Sequence, residues 1–312
     1  MSELRFDGRV AIVTGAGGNP SMGRAHALLL ASRGAKVVVN DIGKVKEVPG
    51  YAGSASADAV VAEIRAAGGK AVADTNDISS EAGANALIRT AIDAFGGVDI
   101  LVNNAAICML VPLDEMTSRD YQRHIDVNLM GAVWTSRAAW PHMKAKGYGR
   151  IVNIGSGGFA GTAYLSAYGA SKGGLFSLTR TLAAEGKGVG IKANTVHPHA
   201  FTRMLEAQHH GSSSLFKEAT ANQQPELVSP LVAFLAHEDC PVSGETINSG
   251  SGRVWRTYVS ETPGFTDRSH SVETIAERWD EVMDTEGSKI SGINGFDAVT
   301  GWDLKPYKPV QG

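Results

Sequence analysis

The sequence predicts an α/β fold: a doubly wound parallel sheet of about seven strands, helices on both faces, and a C-terminal extension. Three observations lead there. Apolar runs of strand length alternate with helix-length stretches along most of the 312 residues. The runs are rich in Val, Ile and Ala, as strands buried on both faces are. Glycines stand where helices should stop, at Gly34 and at Gly68-Gly69.

In chain order, residues 9–14 form the first strand and 22–33 the first helix. A strand at 35–40, a helix at 60–67 and a strand starting at 70–73 follow. A helix at 84–95 leads to the fourth strand at 99–103. Residues 118–146 read as one long helix with room for an interruption. The fifth strand is 150–154, then a helix at 168–186 and the sixth strand at 191–196. A helix at 225–237 and a short last strand at 245–248 close the repeat. Two stretches fall outside it. Residues 42–57 are a Gly/Pro/Ser-containing insertion. Residues 254–312 hold one clear helical segment, 271–283, and are too poor in apolar residues for an independent domain. That extension is expected to pack on the main body or on a neighbouring subunit.

Composition narrows the function classes. A chain of 32.7 kDa should bury about 75% of its unfolded surface, enough for a core without disulfides or structural metals. With 29 basic and 32 acidic residues there is no general attraction to nucleic acid or an anionic membrane. No apolar run approaches the ~20 residues of a spanning helix. Cys108 and Cys240 stand far apart and have no metal-ligand spacing, so no metal is expected and a reducing, cytoplasmic setting fits. The start is read as lacking a signal peptide, and the Val-Gln-Gly end as lacking a Ser-Lys-Leu address.

Between the first strand and first helix lies Thr14-Gly-Ala-Gly-Gly-Asn-Pro-Ser-Met-Gly23. Such a turn points backbone N–H groups at a pyrophosphate on the positive end of a helix. Glycine permits the tight turn and removes the Cβ that would block a ligand. Asp41 ends the second strand, where a carboxylate accepts from ribose hydroxyls and repels a 2′-phosphate. Position and spacing together predict a Rossmann-type dinucleotide site, with residues 1–253 as its domain. The alternative is a structural turn and a solvated Asp.

Tyr168-Gly-Ala-Ser-Lys172 places a phenol and an ammonium at i and i+4, on one helix face. A free tyrosine titrates near ~10, too high for acid–base work at neutral pH. A cation ~5 Å away at an effective dielectric of ~20 favours the phenolate by about 3 kcal/mol, roughly two pKa units. The spacing therefore predicts a phenol lowered toward working pH. The bland alternative is a Tyr/Lys pair on a half-exposed helix.

These motifs resemble the short-chain dehydrogenase/reductase family, whose loop is Thr-Gly-x-x-x-Gly-x-Gly. Gly15 and Gly23 match the outer glycines, but two extra residues are present and Ser21 lies where the middle glycine is expected. The loop must bulge there, or the Ser21 hydroxyl must bond phosphate. Met22 replaces the Arg or Lys common in NADP-dependent members, so it and Asp41 favour NAD; Lys44 and Lys46 could offer opposing charge. The resemblance implies further roles. Ser156, twelve residues before Tyr168, is the catalytic serine. Asn128 in Asp-Val-Asn-Leu-Met-Gly131 holds a water chain behind Lys172. Asn104 follows the fourth strand in Asn-Asn-Ala-Ala106, Asp77-Ile78 flanks the adenine, and Thr202 in Pro198-His-Ala-Phe-Thr202 faces the nicotinamide. Tyr168 and Lys172 would also bind the cofactor.

Residues 194–204, 226–240 and Ala276-Glu-Arg-Trp279 resemble a narrower branch. It comprises the dehydrogenase part of peroxisomal multifunctional type 2 enzymes and bacterial hydroxysteroid dehydrogenases. That implies a small-molecule substrate, a 3-hydroxyacyl-CoA or hydroxysteroid, and a homotetramer or dimer through the helices at 118–146 and 168–186. Cys108, Met109, Leu110, Phe159, Tyr164, Leu165, Met204 and Leu205 could form an apolar wall, or be ordinary loop packing. His209-His210, Arg253 and Arg256 read as solvated. An enoyl-thioester reductase and a non-catalytic nucleotide sensor remain alternatives, as does a dehydrogenase of another cyclic alcohol.

Overall fold

Residues 3–43, 56–201 and 222–293 are described by the computed structural model. Strand β1 (Val10–Thr14) lies inside an eight-stranded sheet ordered β3-β2-β1-β4-β5-β6-β7-β8. The others are β2 (Lys36–Asn40), β3 (Lys70–Asp74), β4 (Ile100–Asn103), β5 (Gly149–Ile154), β6 (Ile191–His199), β7 (Thr246–Gly250) and β8 (Arg253–Thr257). Strands β1 to β7 pair in parallel, with Ala11 opposite Val37 and Ile12 opposite Leu101. The strand order turns back between β1 and β4. The crevice above their C-terminal ends is where this kind of sheet takes ligands.

The helices are α1 (Met22–Ser32), α2 (Ala57–Ala66), α3 (Glu81–Phe95), α4 (Ser118–Ile125), α5 (Gly131–Lys146), α6 (Ser166–Gly186) and α7 (Ser229–Ala236). One core cluster joins Val13, Leu30, Val37, Ile64, Val102, Val152 and Leu235, so it sits between the sheet and α1, α2 and α7. The alternate residues Ile12, Val38, Leu101 and Ile151 are also buried, on the opposite face. Serines cap α1, α2 and α3 through Ser21, Ser56 and Ser80. Between α4 and α5 the long predicted helix is interrupted by a wider π turn, Asp126–Met130.

The strand count exceeds the predicted one by one. Ser251 and Gly252 adopt φ +50° and +76°, the left-handed pair of a two-residue hairpin. That turn folds β8 back on β7 as an antiparallel edge strand. The Ser-Gly dipeptide was the available signal.

The contacts divide the chain into Met1–Arg256 and Thr257–Gly312. In the second unit, β9 (Ser260–Glu261) pairs antiparallel with β10 (Lys289–Ile290). Its predicted helix is two short ones, α8 (Val272–Glu277) and α9 (Trp279–Met283), broken at Arg278. Arg278 there holds Glu281 and lies 4.1 Å from the Phe265 ring centroid.

Candidate active site

The loop after β1 is built against the segment after β4. Gly15 has φ +62°, and a Cβ on it would stand 2.7 Å from the Ala105 Cα. A Cβ on Gly23 would stand 2.5 Å from the Gly15 carbonyl oxygen and 2.6 Å from Asn104 Nδ2. Only glycine fits either place. Asn104 Nδ2 donates to the carbonyls of Thr14 (2.8 Å) and Gly15 (3.0 Å). Thr14 Oγ1 accepts from the backbone N–H groups of Asn104 and Ala105. Asn104 thus shapes the loop through its amide.

The Ser21 hydroxyl is used within the loop itself. It donates to the Gly18 carbonyl at 2.9 Å and accepts from Arg24 N at 3.2 Å, capping α1. Met22 packs on the core and Gly23 is buried at the helix start. Asp41 sits one residue beyond β2, where its carboxylate accepts from the N–H groups of Gly17 (2.9 Å) and Gly43 (3.0 Å). Asp77 is exposed and accepts from Ser79 N. Ile78 is buried, and a Cβ on Gly131 would come within 3.0 Å of it. A helix N-terminus, a glycine cradle with no room for a Cβ and an acid beyond β2 fit a dinucleotide's phosphates and ribose. The predicted contacts at Thr202, Met204 and Leu205, the histidines at 209–210, and Lys44 and Lys46 lie outside the described residues.

Tyr168 and Lys172 share one face in the first turns of α6. Lys172 is 2% exposed, and its Nζ donates to the Ile154 carbonyl at 2.6 Å, at the end of β5. Nζ lies 5.6 Å from the Tyr168 ring centroid. The Tyr168 hydroxyl is hydrogen-bonded to Ser156. Ser156 opens the short helical turn Gly157–Ala160 and accepts from Gly158 N at 3.1 Å, which fixes its hydroxyl.

The ionisation order differs from the expectation. Burial pushes the Tyr168 phenol up to about 12, against the smaller lowering effect of its bond to Ser156. Burial pushes the Lys172 ammonium down to about 8. Desolvation is the largest cause at both groups, and the lysine is already neutral where the phenol would ionise. At neutral pH the pair is a protonated phenol beside a charged ammonium.

Asn128 sits in the π turn, 2% exposed. Its Oδ1 accepts from Ile107 N (2.8 Å), and its Nδ2 donates to Ile107 O (2.9 Å) and Ser171 Oγ (3.1 Å). Both amide hydrogens therefore go to protein groups, and Asn128 clasps the segment after β4 to α6.

Residues 9–211 match the short chain dehydrogenase family. The chain belongs to the short-chain dehydrogenase family. A protein of Mycobacterium tuberculosis (strain ATCC 25618 / H37Rv), assigned to the short-chain type dehydrogenases/reductases, is 42% identical over 287 residues, 91% of this chain and 97% of that one. Peroxisomal multifunctional enzyme type 2 of Mus musculus is 40% identical over 288 residues, 91% of this chain and 38% of the mouse protein. The solved full-length peroxisomal multifunctional enzyme type 2 from Drosophila melanogaster matches with a TM-score of 0.77 at 33% identity, covering 95% of this chain and 49% of that one. The chain thus spans less than half the length of these two multifunctional relatives. As a short-chain dehydrogenase it is an oxidoreductase, in a family that typically uses NAD or NADP.

Several residues of this short-chain dehydrogenase were not singled out from the sequence. The strap after β4 is held at alternate N–H groups: Ile107 by Asn128, Met109 by His124 Nε2 (3.1 Å), and Val111 by the Tyr164 carbonyl (2.9 Å). His124 donates from Nδ1 to the Asp120 carbonyl, which leaves Nε2 as the acceptor. Leu110 (48% exposed) and Tyr164 (60% exposed, φ +68°) face outward. Phe159, one of the proposed wall residues, stacks on Phe176 and meets the His197 ring at a tilt.

Below the site runs a buried polar ladder. Thr135 donates to Asn103, Asn103 to Asn153, and Asn153 to Thr179, at 2.7–2.9 Å. It ties α5, β4, β5 and α6 together by buried side-chain hydrogen bonds. The absence of a side chain at Gly155 is also structural. A Cβ there would meet His197 Cδ2 at 2.5 Å. Gly155→Ala is expected to cost about 1–3 kcal/mol through overpacking, read as a lower urea midpoint.

Proposed function

We propose that the chain interconverts a secondary alcohol and a ketone with NAD, acting on a bulky apolar substrate such as a 3-hydroxyacyl-CoA or a hydroxysteroid. The observation that carries this is the Tyr168 hydroxyl bonded to Ser156, with buried Lys172 behind it on the Ile154 carbonyl. Bound NAD supplies the hydride acceptor. Tyr168 gives its phenolic proton to the ketone oxygen, and in the reverse direction the phenolate so formed takes the proton of the alcohol back. Ser156 orients that oxygen by a second hydrogen bond. Lys172 presents its charge to the phenol and to the nicotinamide ribose. Gly15, Ser21, Met22 and Gly23 hold the pyrophosphate, Asp77 and Ile78 flank the adenine, and Thr202 meets the nicotinamide amide. Asn104 and Asn128 position the strands and straps around them.

NAD is favoured over NADP by the carboxylate at Asp41 and the apolar Met22. The nearby guanidinium of Arg24 is engaged by Glu63. Asp41→Ser is expected to raise NADP use relative to NAD by about 10–100-fold, since it removes repulsion of a 2′-phosphate. Ratios of kcat/KM for the two cofactors measure this, and an unchanged ratio excludes Asp41 from that role.

Exposed apolar side chains at Leu110, Leu113 and Tyr164 support the substrate class. The Tyr–Lys spacing of four argues against an enoyl-thioester reductase, which spaces them by seven. No described helix is long and apolar enough to cross a membrane. A cytoplasmic setting and a homotetramer or dimer through α4–α5 and α6 complete the proposal. The test is NADH absorbance with secondary alcohols, steroids and 3-hydroxyacyl-CoA esters. Signal on the last two classes is the expected result. Silence on all, with NAD bound, would overturn catalysis in favour of a nucleotide sensor.

A further inference from the structure

Strand β8 carries two arginines in different surroundings. Arg256 is forked on Glu245, with Nε and Nη2 donating at 2.7 and 2.8 Å, so its charge is compensated. Arg253 has no acid within ion-pair reach among the described residues, and its Cζ lies 4.7 Å from the Trp255 ring centroid. Arg253 is exposed and Trp255 is half-buried. The same indole meets the exposed His199 ring at 4.9 Å between centroids, tilted by 39°. That imidazole comes from β6, on the far side of β7. It crosses because β7 has no side chain there. Gly250 pairs with His199, and a Cβ on it would stand 2.3 Å from the His199 Cβ. Asn248 Nδ2, also on β7, donates to the Trp255 carbonyl at 3.2 Å and ties β8 in place.

The cluster stands on the catalytic side of the sheet. Side chains two apart on a strand share a face, so His199 faces the way His197 does. His197 meets the Phe159 ring at 4.8 Å, and Phe159 stacks on Phe176 of α6. Phe159 belongs to the turn that Ser156 opens. His199 and Gly250 are the last residues of β6 and β7, at the end of the sheet where such folds take ligands. From β5, which Ser156 follows, to β8 is three strand spacings, about 14 Å. The pantetheine arm of a CoA thioester spans such a distance. A guanidinium stacked on an indole is pre-aimed, and its remaining N–H groups match a phosphate. An exposed imidazole held against that indole offers a ring to a purine.

We propose that His199, Trp255 and Arg253 form a subsite for the 3′-phosphoadenosine end of a CoA thioester, with Arg253 on the 3′-phosphate and His199 against the adenine. This deepens the dehydrogenase reading above and rests on it for the thioester. It selects a 3-hydroxyacyl-CoA over a hydroxysteroid, which brings no phosphate to an uncompensated guanidinium.

The test is calorimetric titration of the NADH-saturated protein, whose dinucleotide cleft is then filled. Adenosine 3′,5′-bisphosphate and adenosine 5′-monophosphate differ only in the 3′-phosphate. The wild type should prefer the bisphosphate by about tenfold. Arg253→Gln should erase that preference and leave NADH affinity unchanged. His199→Ala should weaken both nucleotides alike, by roughly five- to tenfold, and keep the preference. Both side chains are exposed, so neither exchange threatens the fold. No preference in the wild type, or one that survives Arg253→Gln, would overturn the proposal. Adenosine 2′,5′-bisphosphate, the matching end of NADP, should bind more weakly than the 3′,5′ isomer; equal affinity would overturn the CoA assignment. Because turnover is not read, a chain inactive on every alcohol would defeat the dehydrogenase reading and leave this result standing. Steroid turnover without nucleotide binding would do the reverse.

Discussion

Tyr168→Phe is expected to lower turnover by about 10²–10⁴-fold while leaving dinucleotide affinity nearly unchanged. The ring stays, so the packing of α6 against the Gly157–Ala160 turn is retained. Only the hydroxyl bonded to Ser156 is lost. That hydroxyl, pushed up to about 12 by burial, is a proton donor at neutral pH. No other side chain shown to reach Ser156 can replace it. Stopped-flow turnover together with NADH fluorescence titration checks both halves. A variant that keeps more than a tenth of wild-type turnover would remove Tyr168 from the mechanism.

Lys172→Met should abolish activity and yet stabilise the folded chain. The ammonium is depressed from 10.5 to about 8 by burial. Such a shift corresponds to about 3 kcal/mol, because each unit is worth ~1.4 kcal/mol. The sign follows from proton counting. Below about pH 8 both folded and unfolded lysines are charged, and the folded one carries the full desolvation penalty. Between about 8 and 10.5 the unfolded chain binds the extra proton, so wild-type stability rises with pH as the penalty disappears. Methionine fills similar space without charge but loses the bond to Ile154. A net gain of about 1–3 kcal/mol at pH 7, shrinking toward pH 10, is therefore expected in urea melts. Equal stabilities at pH 7 would show that the lysine is not held at a cost.

Tyr168 and Lys172 are legible in the sequence itself, because a helix repeats every 3.6 residues and i, i+4 spacing puts them on one face. The parallel sheet is legible for a similar reason. Runs such as Val10–Thr14 and Lys36–Asn40 are apolar on both faces, and only a sheet covered by helices accommodates that. The glycine turn and Asp41 are local too, since both lie next to the strands that carry them.

What tertiary structure alone decided involves partners distant in sequence. Sequence spacing predicts attraction between phenol and ammonium, but desolvation depends on what every other element packs around them, and it reversed the direction at Tyr168. The fit of Gly155 against His197 joins two neighbouring strands, and Asn128, in the widened turn Asp126–Met130, bonds Ile107 on the segment after β4. A sequence specifies which groups can act at short range along the chain. Which of them lose water, and which fill one another's missing volume, is settled only when remote segments close on one another.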